Sequence, residues 1–256
     1  MIAHAYKPKS PLVNFVELMW FHDGYRSVYK YERAVPHGAA TLVINFAQRE
    51  ATFCGAHSAP FILETEKMRS HIGIAFKPGG AFPFVPLPAG ELHNEVVPLD
   101  TLWGRQVFPL RDQLLEAPSA QAKFALLEQA LLAHLSHSDL IHPAVRFAVE
   151  HFPQVLSPRP VSTVAEQVGL SLRRFNQIFD AQVGLSPKRF HRVQRFQRLL
   201  SQIYGQTTVD WADVACAHGY FDQAHLIHEF QELTGISPNS YLAGANRHMN
   251  HVVMDG

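Results

Sequence analysis

The 256-residue chain is short of cysteine, of charge and of long apolar runs. Only Cys54 and Cys216 occur. Two cysteines make neither a disulfide framework nor a four-cysteine zinc site, and they suit a reducing compartment. Charged residues make up 17% and hydrophobic residues 47%, which excludes a disordered chain. No stretch approaches the ~18 consecutive apolar residues of a membrane-spanning helix. Residues 1–10 have no apolar signal-peptide core, so a cytoplasmic protein without a membrane partner is expected. Catalytic signatures are also missing: there is no H-E-x-x-H, P-loop, dinucleotide fingerprint or G-x-S-x-G. Sixteen histidines are present. The nearest to a cluster, His134, His137 and His142, lacks carboxylate or cysteine partners at ligand spacing. The expectation is therefore no metal, no cofactor and no enzyme. Net charge is lacking too, with 22 basic against 22 acidic residues, which at first argues against a nucleic-acid partner.

What is present changes character near residues 136–142. Before them, short apolar runs such as Thr41–Phe46 and Ile72–Phe76 end in punctuation such as Lys77-Pro78-Gly79-Gly80. This reads as strands over 1–100, in a small sheet or barrel. Leu110, Leu114 and Leu115, then Phe124, Leu127, Leu131 and Leu135, recur at helical spacing and predict two helices over 105–136, the second capped by Ser119. Beyond residue 142 the pattern is helical, opening with Pro143 as a first-turn residue; Pro153, Pro158 and Pro160 close that element. The fold class expected is α+β. A β-rich domain with two helices spans 1–138, an all-α domain 139–246 and a tail 247–256.

The helical half repeats itself. Val164-Ala165-Glu166-Gln167-Val168-Gly169 matches Val214-Ala215-Cys216-Ala217-His218-Gly219 at an offset of 50. Phe179/Phe230, Gly184/Gly235, Pro187/Pro238 and Phe190/Tyr241 match at 51, so one residue is inserted after the second glycine. Each window has the parts of a helix-turn-helix. A glycine supplies the positive φ of a tight turn. An alanine four residues earlier allows close helix approach. Ser171 or Asp222 can cap the helix that follows. In the first copy Leu172, Phe175, Ile178 and Phe179 form the buried stripe, with Arg173, Arg174, Gln177, Asp180 and Ala181 opposite and Asn176 at the edge. A single such match is a common pair of packed helices; two copies, each followed by Gly-x-Ser-Pro, are far more specific.

On these residues, and above all on Gly219–Leu226, Phe230 and Thr234–Tyr241, residues 143–242 resemble the DNA-binding domain of the AraC/XylS family of bacterial transcription regulators. Residues 6–135 resemble, more loosely, an uncharacterised N-terminal domain of some members, through Tyr6-Lys7-Pro8, Trp20, Pro36-His37-Gly38, Phe76–Gly80 and Trp103-Gly104. The resemblance implies two helix-turn-helix units joined by a long helix. It places base contacts at Arg173, Asn176 and Gln177 in the first unit and at Gln223, Ala224, His225 and His228 in the second. Arginine suits guanine and the amides suit adenine.

Charge by segment then becomes informative. Residues 1–142 carry −1 and 143–256 carry +1. Within the second half, Ser171–Arg198 carries +6, while Thr207–Leu242 has no Lys or Arg and carries −5. Arg174, Lys188, Arg189, Arg192 and Arg195 are the expected phosphate contacts, the last three stepping by three along one helix. Glu229 and Glu232 stand where the family often has a cation. Acids facing phosphate would leave the second unit to bind weakly, to contact few phosphates or to serve a protein surface. Trp20, Phe21, Phe46, Phe76, Phe82, Phe84 and Trp103 either line a ligand pocket or fill a core, and the core is the preferred reading. The function expected is a sequence-specific DNA-binding regulator that recruits or blocks RNA polymerase. Its partners would be double-stranded DNA, a small-molecule effector and a second copy of the chain. The alternatives are an N-terminal enzyme or ligand-binding barrel with DNA binding secondary, and a protein-interaction module.

Overall fold

The computed structural model describes residues 2–25, 29–65, 68–135, 140–152, 161–244 and 248–254. The expected domain joint at 138/139, His137, and Pro153, Pro158 and Pro160 lie outside the described residues.

Eight strands come first: β1 Ile2–Tyr6, β2 Val16–Asp23, β3 Tyr31–Ala34, β4 Thr41–Asn45, β5 Glu50–Cys54, β6 Phe61–Glu64, β7 Ser70–Phe76 and β8 Val96–Pro98. Helices α1 Asp100–Trp103, α2 Val107–Glu116 and α3 Ala120–His134 follow. The strands make an antiparallel six-stranded sheet in the order β1-β2-β7-β4-β5-β8, and β6 and β3 belong to a second sheet. The architecture is α+β, with open sheets.

Alternation of apolar and polar residues sets the register. Leu42 and Ile44 pair with Ile74 and Ile72, and all four are fully buried. Gly73 sits opposite Trp20, whose ring lies over it; a Cβ at Gly73 would run into that ring. Helix α3 opens where Ser119 accepts a hydrogen bond from the Ala122 N–H at 3.2 Å. Its Phe124, Leu127 and Leu131 close the sheet core. Of the aromatics weighed as pocket or core, Phe21, Phe46, Phe76, Phe84 and Trp103 are core, while Trp20 and Phe82 are half-buried.

The second half is helical: α4 Pro143–His151, α5 Val161–Gln167, α6 Leu172–Val183, α7 Pro187–Ile203, α8 Trp211–Ala217, α9 Gln223–Thr234 and α10 Pro238–Ala243. Each repeat builds its own core. Phe175, Phe179, Phe190 and Phe152 pack with Val145 and Ala165 in the first. Phe196, Phe230, Leu226, Trp211 and Tyr241 pack with Ala215 in the second. Gly169 and Gly219 both have φ of 70°, which a Cβ would strain.

The stretch expected as a tail is corrected: His251–Val253 forms β9, which pairs antiparallel with β3. Val252 is buried in the second repeat's core together with Val35, which follows β3. Pairing a strand edge and burying an apolar side chain give this segment a structural reason to order.

Candidate nucleic-acid interface

The first repeat presents α6. Ser171 caps it by accepting from the Arg174 N–H at 3.3 Å, and Gly184 ends it in the left-handed conformation. Phe175, Phe179 and Val183 face inward, so 3.6-residue periodicity leaves Arg173, Arg174, Asn176, Gln177 and Asp180 exposed. Leu172, expected in the buried stripe, is instead 45% exposed. As the first helical residue it precedes the turn that packs. The other members of that stripe are buried or half-buried.

Ser186 caps α7 in the same way, from the Arg189 N–H, with Pro187 in the first turn. Lys188 and Arg189 are exposed. The remaining two expected phosphate contacts on α7 need correction. The side chain of Arg195 is only 10% exposed; its guanidinium donates to Glu229 Oε2 at 2.7 Å and to the Gly219 carbonyl at 3.3 Å, and it lies 4.1 Å from the Tyr220 ring. Arg192 donates through Nε to Glu229 Oε2 at 2.9 Å and bonds bidentately to Glu232. Stepping by three placed both on the side of α7 that packs against α9, not on a free face.

The acidic count of the second repeat changes meaning in consequence. Glu229 is 4% exposed and accepts from Arg192, from Arg195 and, through Oε1, from the Tyr220 hydroxyl at 2.7 Å. It faces cations inside the protein, not phosphates outside it. Burial and the adjacent Glu229 push the Tyr220 hydroxyl pKa up, so this group donates throughout the ordinary pH range. The Arg192 guanidinium holds Glu232 below the usual carboxylate range. Asp210 and Asp222 cap α8 and α9. Gln223, Ala224, His225 and His228 line the exposed side of α9.

The β-domain touches both α6 and α9. Beside α6, the 3-10 turn Ala89–Leu92 packs so closely that a Cβ on Gly90 would strike the Asp180 carboxylate. A cleft of about 430 Å³ opens next to it, lined by Phe82 and His142 together with Arg174, Gln177, Ile178, Ala181 and Gln182. At the other end, Arg33 of β3 donates to the Thr234 carbonyl at 3.0 Å, at the C-terminal turn of α9, where a cation complements the helix dipole. Gln194 and Gln197 of α7 donate to the His37 and Pro36 carbonyls. Arg33, Gly90 and the β9 strap were missed in the sequence; only the glycine hinted at a close approach.

Among the described residues no group of three or more His, Cys, Asp or Glu could hold a metal. No described helix is long and apolar enough to cross a membrane.

Residues 164–244 match a family described as a helix-turn-helix domain, and residues 4–98 match a domain of unknown function. Residues 164–244 form an AraC-type helix-turn-helix domain. The arabinose operon regulatory protein of Escherichia coli K12 is 26% identical over 155 residues, which cover 56% of this chain and 53% of that protein. The chain thus spans about half the length of the curated relative it matches. Among solved structures, the C-terminal domain of AraT, a response regulator from Geobacillus stearothermophilus, is 20% identical with a TM-score of 0.38, covering 42% of this chain and 95% of that one. ToxT from Vibrio cholerae O395, bound to (E)-4-(8-methylnaphthalen-1-yl)but-3-enoic acid, is 6% identical with a TM-score of 0.43, covering 94% of this chain and 98% of that one. Within the AraC-type domain, α6 and α9 hold the second-helix position of each helix-turn-helix, the one that enters a major groove.

Proposed function

We propose that the chain is a cytoplasmic, sequence-specific DNA-binding transcription regulator and not an enzyme. Residues 139–246 are its DNA-binding unit and 1–138 its regulatory unit. The observation that carries the reading is the exposed stripe on α6. Arg173, Asn176 and Gln177 share one solvent-facing side of a capped helix whose opposite side is pinned in a phenylalanine core. Arg173 reads guanine, and Asn176 or Gln177 reads adenine. Arg174, Lys188 and Arg189 hold the phosphates. Gln223, Ala224, His225 and His228 read a second, less strongly anchored half-site.

The regulatory unit acts through its hold on α6 and α9. The cleft lined jointly by Phe82 and by Arg174 and Gln177 supports modulation by a small molecule, since an occupant would touch both units. RNA polymerase and a second copy of the chain are the remaining partners of this reading.

The salt dependence of duplex binding by the full chain tests it. Three phosphate contacts predict a slope of log K against log salt of about −3, against about −4.5 for the five cations expected from sequence. Arg174→Ala lowers the slope by about 1. A slope near zero, with no preference among duplexes, overturns the reading.

A further inference from the structure

The second repeat is one residue longer than the first, and the structure identifies the extra residue. Leu170 donates its N–H to the Ala165 carbonyl at 2.9 Å, and Tyr220 donates to the Ala215 carbonyl at 2.9 Å. These residues occupy the same place after the turn glycine. Ser171 and Asp222 both cap the next helix. The inserted residue is therefore Phe221, between Tyr220 and the cap.

Phe221 is 92% exposed; among the described residues the next most exposed large hydrophobics are Leu140 at 60% and Ile62 at 59%. Its neighbours fix it there. Tyr220 is held inside by Glu229 and Arg195. Asp222 accepts from the His225 N–H at 2.7 Å, and the Phe221 N–H donates to His225 Nδ1 at 3.4 Å. The ring therefore projects from a backbone pinned on both sides, and its apolar surface contributes nothing to the protein's own core. It stands at the start of α9, the part of such a helix that meets base edges. Around it, Gln223, Ala224, His225 and His228 are exposed, and there is no Lys or Arg from 207 to 242.

We propose that Phe221 is a specificity-determining residue of the second unit, whose ring packs on the C5-methyl group of a thymine in the major groove. The thymine methyl is the apolar handle that groove offers. With no Lys or Arg on α9 itself, and with Arg192 and Arg195 paired to its carboxylates, apolar contact replaces phosphate attraction as the second unit's anchor. This rests on the DNA-binding reading above and adds to it a base and a residue.

The test uses the full chain and the duplex it enriches most from a random-sequence pool. Each thymine of that duplex is replaced in turn by deoxyuridine, which lacks the methyl. The wild-type chain is expected to lose about 4-fold in affinity at one thymine. Phe221→Ser is expected to bind the unmodified duplex about 5- to 30-fold more weakly, to be indifferent to that deoxyuridine, and to melt at the wild-type temperature. Identical deoxyuridine profiles for the two proteins overturn the proposal, and so does weaker binding without thymine dependence. A Phe221→Ser chain that binds DNA normally but fails in transcription overturns it too, and assigns the ring to a protein partner. If no duplex is enriched, the DNA reading itself falls and takes this one with it. That outcome is distinct from enrichment with a thymine-indifferent Phe221, which removes this proposal alone.

Discussion

Glu229→Ala is expected to be among the most damaging single changes in the helical half. The carboxylate is 4% exposed and accepts three hydrogen bonds, two of them from guanidinium groups at 2.9 and 2.7 Å. Its removal leaves Arg195, itself 8% exposed, with the Gly219 carbonyl at 3.3 Å and the face of Tyr220. A buried charge stripped of its partner costs about 3–5 kcal/mol. At about 2–4 °C per kcal/mol for a chain of this size, the melting temperature falls by about 6–20 °C. The control is the pair Arg195→Met with Glu229→Leu. Removing both charges removes the desolvation cost as well, so the double variant recovers most of the loss, and the coupling between the two sites is at least about 2 kcal/mol. Urea and thermal unfolding of the two single variants and the double variant give the cycle. A Glu229→Ala chain within about 1 kcal/mol of wild type, or a double variant as unstable as the sum of the singles, shows that Glu229 and Arg195 do not act as a buried pair.

One further prediction concerns the seam between the halves and another the buried histidines. Gly90→Ala drives a Cβ into the Asp180 carboxylate and loosens the turn packed beside the last turn of α6. DNA affinity is expected to rise several-fold, with faster amide exchange at residues 89–92, as access to the groove-facing side improves; unchanged or weaker binding contradicts this. Burial, with His37 and His93 nearby, lowers the pKa of His57 from 6.5 to about 4, and burial beside His22 does the same to His71. Depressed values mean that the neutral form is favoured in the folded chain. Each group's stabilisation is full above pH 6.5 and is lost as pH falls toward 4, by up to about 3 kcal/mol. His57→Gln should flatten the loss of stability between pH 7 and pH 4.5, and a pH profile parallel to that of wild type refutes the assignment.

Local signals read well from sequence because they act within a few residues. Ser119, Ser171 and Asp222 cap the helices they precede, Pro143 opens α4, and the two turn glycines take positive φ. Helical periodicity also placed the exposed face of α6, and the family resemblance pointed to the residues of α9 that stand exposed. What the sequence hid was pairing at a distance. Arg192 and Arg195 look like the rest of a basic stretch until α9 folds against them, 34 to 40 residues later. Charge counting places no charge inside or outside, so the +6 and −5 segments looked like opposed surfaces when part of each cancels in the interior. β9 was illegible for a related reason. Three residues carry no usable periodicity, and their partner Glu32–Ala34 lies at the other end of the chain.

If α6 reads bases, loss of the Arg173 side chain has to show it. The side chain is exposed on a helix whose packing does not depend on it, so Arg173→Ala should fold as wild type. Against the best duplex selected by the full chain, affinity is expected to fall by about 1–3 kcal/mol, with relaxed preference at one guanine. Unchanged affinity, together with unchanged preference at every position, would mean that α6 does not read bases through Arg173.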